Sequence, residues 1–161
     1  MGRVKDYDGL WDLIERHEGR RAKVYLDTAG HPTVGIGFNL DRADAGAKLS
    51  ALGLDPGAVR EGAVTLTDDQ VDELFEPDLA TAIEAARRLV PSFDALSPAW
   101  QHVCVDLAFN LGARGFGAFA KTLAAIEAGD YEAAARELQA SRWYTQVGRR
   151  GADAVARMRA G

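Results

Sequence analysis

The chain has 161 residues, 47% of them hydrophobic and 27% charged, which is enough for one sizeable core or two small lobes sharing an interface. Only 17 Gly and 5 Pro exclude a collagen-like or low-complexity chain; the single cysteine, Cys104, excludes an internal disulfide, and 3 His leave no zinc-type cluster, so no metal or cofactor is expected. A formal net charge of −5 argues against a general nucleic-acid binder. No run reaches the ~18 apolar residues of a membrane span and the opening Met1 to Asp8 is polar, so the chain reads as a monomeric cytoplasmic product that does not enter a membrane.

Leu10, Trp11, Ile14 and His17 recur at helical spacing, and Gly19 supplies a stop, predicting a helix from about Asp8 to Glu18. From Lys23 to Asp41 the pattern changes to a small antiparallel sheet: Val24 and Tyr25, a turn at 27–30, then a strand over Thr33 to Phe38. Thr67, Asp68 and Asp69 open a long helix whose Val71, Leu74, Phe75, Leu79 and Ile83 share a face up to Val90, with a kink or restart expected near Glu76 because Pro77 follows. Ser97 and Pro98 start a strongly apolar helix through Phe109 that Gly112 stops. Helices follow over 118–127, from an Asp130 cap to about Ala140, and over 153–159. The expected organisation is α+β: one domain over 1–161, with a small sheet-containing lobe over 19–66, a connecting helix over 67–90, and a helical lobe made of 91–161 with 1–18.

Between Ser141 and Gly161, Arg142, Arg149, Arg150, Arg157 and Arg159 face the lone acid Asp153, a basic patch on an acidic chain that composition reads first as a solvated helix face. Chemistry without metal or nucleophilic thiol is most simply done by two carboxylates, one acid and one base. Glu18, ending a helix, and Asp27, at the turn of the sheet, form one such candidate pair among 24 acids. Gly35 and Gly37 are read as side-chain-free positions where a sugar or another backbone comes close.

Glu18-Gly19, Tyr25, Asp27-Thr28, Gly30 and Thr33-Val34-Gly35-Ile36-Gly37 resemble the catalytic stretch of the phage lysozymes, especially the T-even phage type of glycoside hydrolase family 24. The likeness returns at Phe109-Asn110-Leu111-Gly112 with Gly115 and Phe119, and at Ser141-Arg142-Trp143-Tyr144, in order along nearly the whole chain. It implies a lysozyme-like fold and an endolysin-type muramidase that cleaves the β-1,4 bond between N-acetylmuramic acid and N-acetylglucosamine in bacterial peptidoglycan. By the same likeness, Glu18 is the general acid, Asp27 the opposed carboxylate and Thr33 the residue that helps hold the attacking water. Asn39, Phe109, Thr122 and Glu137 match saccharide-binding positions, and Arg150 the cation that supports the acid. The enzyme would reach the wall from the cytoplasm after membrane permeabilisation or lysis. A wall-binding module without catalysis and a chitin-cleaving glycosidase are the alternatives. One departure stands out: relatives often carry a histidine after the glycine pair that bonds an acid on the long helix, but here Phe38 follows Gly37 while Asp78 remains, so that pair cannot form.

Overall fold

The computed structural model describes residues 3–161; Met1 and Gly2, the head of the polar opening stretch, lie outside them. It divides into two compact units, Ile14–Asp78 and Met1–Leu13 with Leu79–Gly161.

The helix α1 (Tyr7–Glu18), of which Ile14 onward belongs to the first unit, ends where Gly19 adopts φ +83°, a left-handed conformation open to glycine, and the Gly19 N–H closes the last turn on the Glu15 carbonyl at 2.7 Å. Then β1 (Arg21–Leu26), β2 (Pro32–Gly35) and β3 (Phe38–Asn39) make an antiparallel sheet in that order, with Tyr25 opposite Thr33 and Thr33 opposite Asn39. The single strand expected over Thr33 to Phe38 is therefore a hairpin. Ile36 and Gly37 form its turn, with Gly35 and Gly37 both at φ +66°, which an extended strand does not allow. Two short helices absent from the sequence reading follow, α2 (Ala45–Ala51) and α3 (Pro56–Arg60). The second carried a legible start, since Pro56 is its first residue and the Asp55 carboxylate accepts from the Gly57 N–H at 3.3 Å.

The long helix α4 (Asp68–Leu89) opens on a reciprocal capping box: the Thr67 hydroxyl accepts from the Gln70 N–H at 3.1 Å, and the Gln70 side chain accepts from the Thr67 N–H at 2.9 Å. The restart expected near Glu76 is absent, because the helix runs unbroken through Pro77. A proline inside a helix costs about 3 kcal/mol. The buried Val71, Leu74, Phe75 and Leu79 on either side of it contribute roughly 1.5–3 kcal/mol each, which outweighs that cost.

The second unit is built on α5 (Pro98–Gly117), where every residue from Trp100 to Ala108 is buried, so the helix is enclosed on all sides. The Ser97 hydroxyl caps it, accepting from the Trp100 N–H at 3.4 Å, and Gly112 breaks the helical conformation as the sequence predicts, with helical turns resuming to Gly117. Around it lie α6 (Ala120–Glu127), α7 (Tyr131–Gln139) capped by Asp130, α8 (Arg142–Val147) capped by Ser141, and α9 (Arg149–Ala160). The sequence reading lacked α8 and began the last helix four residues late. Gly148 at φ +58° separates the two, and Gly151 lets α9 come close to Tyr144, since a Cβ there would lie 3.0 Å from the Tyr144 ring.

Candidate active site

Of the sequence-predicted site residues, Glu18, Asp27, Thr33 and Asn39 belong to the first unit, and Phe109, Thr122, Glu137 and Arg150 to the second. Glu18 is half-buried at the end of α1, and what makes room for it is Gly37. A Cβ on Gly37 would lie 2.5 Å from Glu18 Oε2 and 3.0 Å from its carboxyl carbon. Within the protein, the group that comes close to Gly37 is the Glu18 carboxylate. Gly35 faces only ordinary contact, 3.6 Å from Val71, and is required by its positive φ. Burial, and then the Glu18 charge, push the Tyr25 phenol above its ordinary pKa, while the Arg21 guanidinium sits 4.6 Å over the Tyr25 ring.

Two residues past Glu18, Arg20 ties the end of α1 to the start of α4. It pairs with Glu15 at 2.9 Å, Asp72 at 2.8 Å and Asp68 at 3.2 Å. Partial burial works against its charge, but these carboxylates outweigh that and hold its pKa above the ordinary value.

Asp27 sits in a tight turn that fixes one of its two oxygens. Asp27 Oδ1 accepts from the backbone N–H of Ala29 at 2.9 Å and of His31 at 2.8 Å, and the Asp27 N–H donates to the His31 carbonyl at 2.9 Å. Oδ2 bonds to no described residue. Thr33, central in the sheet and buried, donates its hydroxyl proton to the same His31 carbonyl at 3.0 Å. The backbone of His31 is therefore the joint between Asp27 and Thr33, a role that no residue-type signal reveals. The His31 ring pairs with Asp41 at 3.3 Å, and Arg60 holds the other Asp41 oxygen at 2.8 Å; Arg60 first and His31 second keep that carboxyl below its usual range. Asn39 accepts from the Asp41 N–H at 2.8 Å, so its side chain shapes the next turn. Leu26, beside Asp27, is 70% exposed and was not singled out by the sequence.

The missing histidine pair has a replacement. Phe38 is buried, and the Arg42 guanidinium lies 4.4 Å over its ring. Arg42 donates to Asp78 at 2.6 and 3.1 Å and to Asp44 at 2.9 Å, and Lys48 adds a longer contact to Asp78 at 3.8 Å. Asp78 keeps a cationic partner, but from the loop after the sheet. Desolvation works against the Arg42 charge, yet Asp78 and Asp44 more than offset it, and Asp44 is in turn held below its ordinary pKa.

In the second unit Phe109 is half-buried and Glu137 exposed. Thr122 is buried on α6, and its hydroxyl bonds to no described residue. Arg150 donates to Asp106 at 2.6 Å, with side chains only 11% and 2% exposed; Asp106 is a buried acid on the apolar α5 that the sequence reading passed over. Arg157 pairs with Asp153 and Arg159 with Glu132, so three of the five arginines in the basic patch already have carboxylate partners. Trp143 is buried, its indole N–H donating to Asn110 at 2.8 Å, which makes it a core residue, as its type suggests. Cys104 is enclosed, and burial pushes its thiol up to about 12.

A small three-stranded antiparallel sheet, with helices making up the remainder, is the arrangement of a lysozyme-type glycoside hydrolase. The chain belongs to the phage lysozyme family, whose model matches residues 15–160. It is 32% identical to the pre-baseplate central spike protein Gp5 of Enterobacteria phage T4 over 84% of this chain, but spans only 25% of that longer protein. It is 29% identical to the probable T4-type lysozyme 2 of Dictyostelium discoideum, covering 88% of each chain, and 29% identical to the endolysin of Salmonella phage P22 over 76% of this chain and 73% of that one.

Proposed function

We propose that this chain is a muramidase that hydrolyses the β-1,4 bond between N-acetylmuramic acid and N-acetylglucosamine in bacterial peptidoglycan, by direct attack of a water held by Asp27 and Thr33. The observation that carries the reading is the hydrogen-bond direction at Thr33. Its only hydroxyl proton is committed to the His31 carbonyl, so it presents lone pairs to any water beside it. Such a water donates one proton to Thr33 and the other towards Asp27 Oδ2, which is free of protein donors among the described residues. The water's own lone pair is then left for the anomeric carbon. As that carbon–oxygen bond forms, the glycosidic bond breaks, the Glu18 proton passes to the leaving oxygen and Asp27 receives the proton from the water. Attack by water on the face opposite the leaving group inverts the anomeric centre. Arg150 acts as the supporting cation, its guanidinium oriented by Asp106, and Asn39, Phe109, Thr122 and Glu137 contact saccharide. The wall is reached from the cytoplasm once the membrane is breached, in keeping with the endolysin among the relatives.

Glu18→Gln removes the proton donor at nearly constant size. Clearing of a bacterial wall suspension should fall ~10²- to 10⁴-fold with an unchanged melting temperature. Retention of more than about a tenth of the activity removes Glu18 from the acid role. Early-time proton NMR of the cleaved fragment should show the α-anomer first; the β-anomer first overturns the water-holding role of Asp27 and Thr33.

A further inference from the structure

Among the described residues only two large hydrophobic side chains are exposed, Leu26 next to Asp27 and Tyr131 at the start of α7. Tyr131 lies in the second unit, 42% exposed, with its ring tilted 43° against that of Trp100 and the centroids 4.9 Å apart. Together they line a cavity of about 270 Å³ whose wall includes Ser97, Met158 and the ion-paired Glu132 and Arg159. That is the volume of roughly nine liquid waters, too large for packing slack and of the order of one sugar ring.

The second observation concerns Trp100 itself. It is only 3% exposed, yet its indole N–H donates to no described group. Among the described residues no fully buried side-chain nitrogen or oxygen lacks a partner, so this N–H reaches solvent. A donor on a cavity-lining residue that has no protein acceptor and is reached by solvent is available to a ligand oxygen in exchange for water.

We propose that this cavity is a second saccharide site, distinct from the acid pair, that takes an N-acetylated hexosamine unit of a glycan strand. The apolar face of a pyranose stacks on Tyr131, the N-acetyl methyl group lies against Met158, a ligand oxygen accepts from the Trp100 N–H, and the ring hydroxyls bond to Glu132 and Arg159. An aromatic ring beside fixed polar groups is the chemistry that recognises a sugar, with one apolar face and an equatorial rim of hydroxyls. An insoluble polymer held at two points is released more slowly than one held at a single cleft. The choice of an amino sugar rests on the muramidase reading; the cavity's capacity to bind a sugar does not.

The test uses the full chain carrying Glu18→Gln, so that the probe is not cleaved, with N,N′,N″-triacetylchitotriose as ligand and NMR of the indole N–H signals as readout. Trp100→Phe assigns the Trp100 signal. The trisaccharide should shift that signal saturably, and Tyr131→Ala should weaken the binding read from it about fivefold or more, the loss of one aromatic stack. No shift, a shift that Tyr131→Ala leaves unchanged, or a response to maltotriose or a short peptide in place of the chitotriose overturns the site. Because the readout is taken without the Glu18 carboxyl, it can fail while wall clearing by the unaltered chain succeeds, and the reverse.

Discussion

In the unit Ile14–Asp78, the side chains proposed for chemistry are fixed by directional bonds: two backbone donors on one oxygen of Asp27, one carbonyl taking the Thr33 proton, a glycine leaving room for Glu18. In the unit built on α5, position comes from apolar packing on every side of one helix, and the charged exception is the largely buried pair of Asp106 with Arg150. The difference follows from size. A sheet of three short strands buries too little apolar area to hold side chains to a fraction of an ångström, so hydrogen bonds and ion pairs do it, whereas the enclosed helix needs few. The same chemical pair, arginine with aspartate, should then matter unequally in the two places.

The largest effect is expected at the largely buried pair of Asp106 with Arg150. Asp106→Ala leaves the Arg150 charge without its carboxylate in a buried setting and should cost about 3 kcal/mol in chemical denaturation; a cost under about 1 kcal/mol would mean that the surroundings of Arg150 replace it. Arg42→Ala removes the pairs with Asp78 and Asp44 and the stack on Phe38, but water already reaches part of that network, so about 2 kcal/mol is expected by the same measurement. The two variants together sharpen the contrast: equal losses would erase it. Phe38→His, which would reinstate the residue common in relatives, should lower stability by about 1–2 kcal/mol, because it puts a polar ring in a buried place beside a cation that already occupies Asp78.

Gly37→Ala separates positioning from packing within the first unit. A left-handed backbone costs about 1 kcal/mol for alanine, but displacement of the Glu18 carboxylate should lower wall clearing about tenfold or more. Loss of stability with full clearing would show that Glu18 does not depend on this seat. The smallest effect is alkaline and belongs to the helical unit. Cys104 has a folded pKa raised to about 12, so the folded state keeps its proton where the unfolded chain releases it. Stability should therefore fall as pH rises above ~9, by about 1 kcal/mol over the first unit, and Cys104→Ala should not show that slope.

Much of the helical part was legible in the residues. Ser97-Pro98, Asp130 and Thr67 with Asp68 and Asp69 announce helix starts because a cap is a local bond between neighbours in sequence, and the strongly apolar stretch after Pro98 reads as a buried helix. Pro77 does not restart the helix for the opposite reason: its local cost is readable, whereas the burial that outweighs it is not. The glycine-rich stretch indicates close approach without saying of what. That Glu18 fills the space at Gly37, that Arg42 is the cation beside Asp78, and that Trp100 packs against Tyr131 depend on side chains brought together from distant points in the chain. The sequence by itself determined the α+β order and the caps, since these rest on spacing and residue type. Only the tertiary structure decided which oxygen of Asp27 is held, which way the Thr33 proton points and which cation meets each buried carboxylate, because hydrogen-bond direction and charge pairing are set by three-dimensional neighbours and leave no period in the sequence.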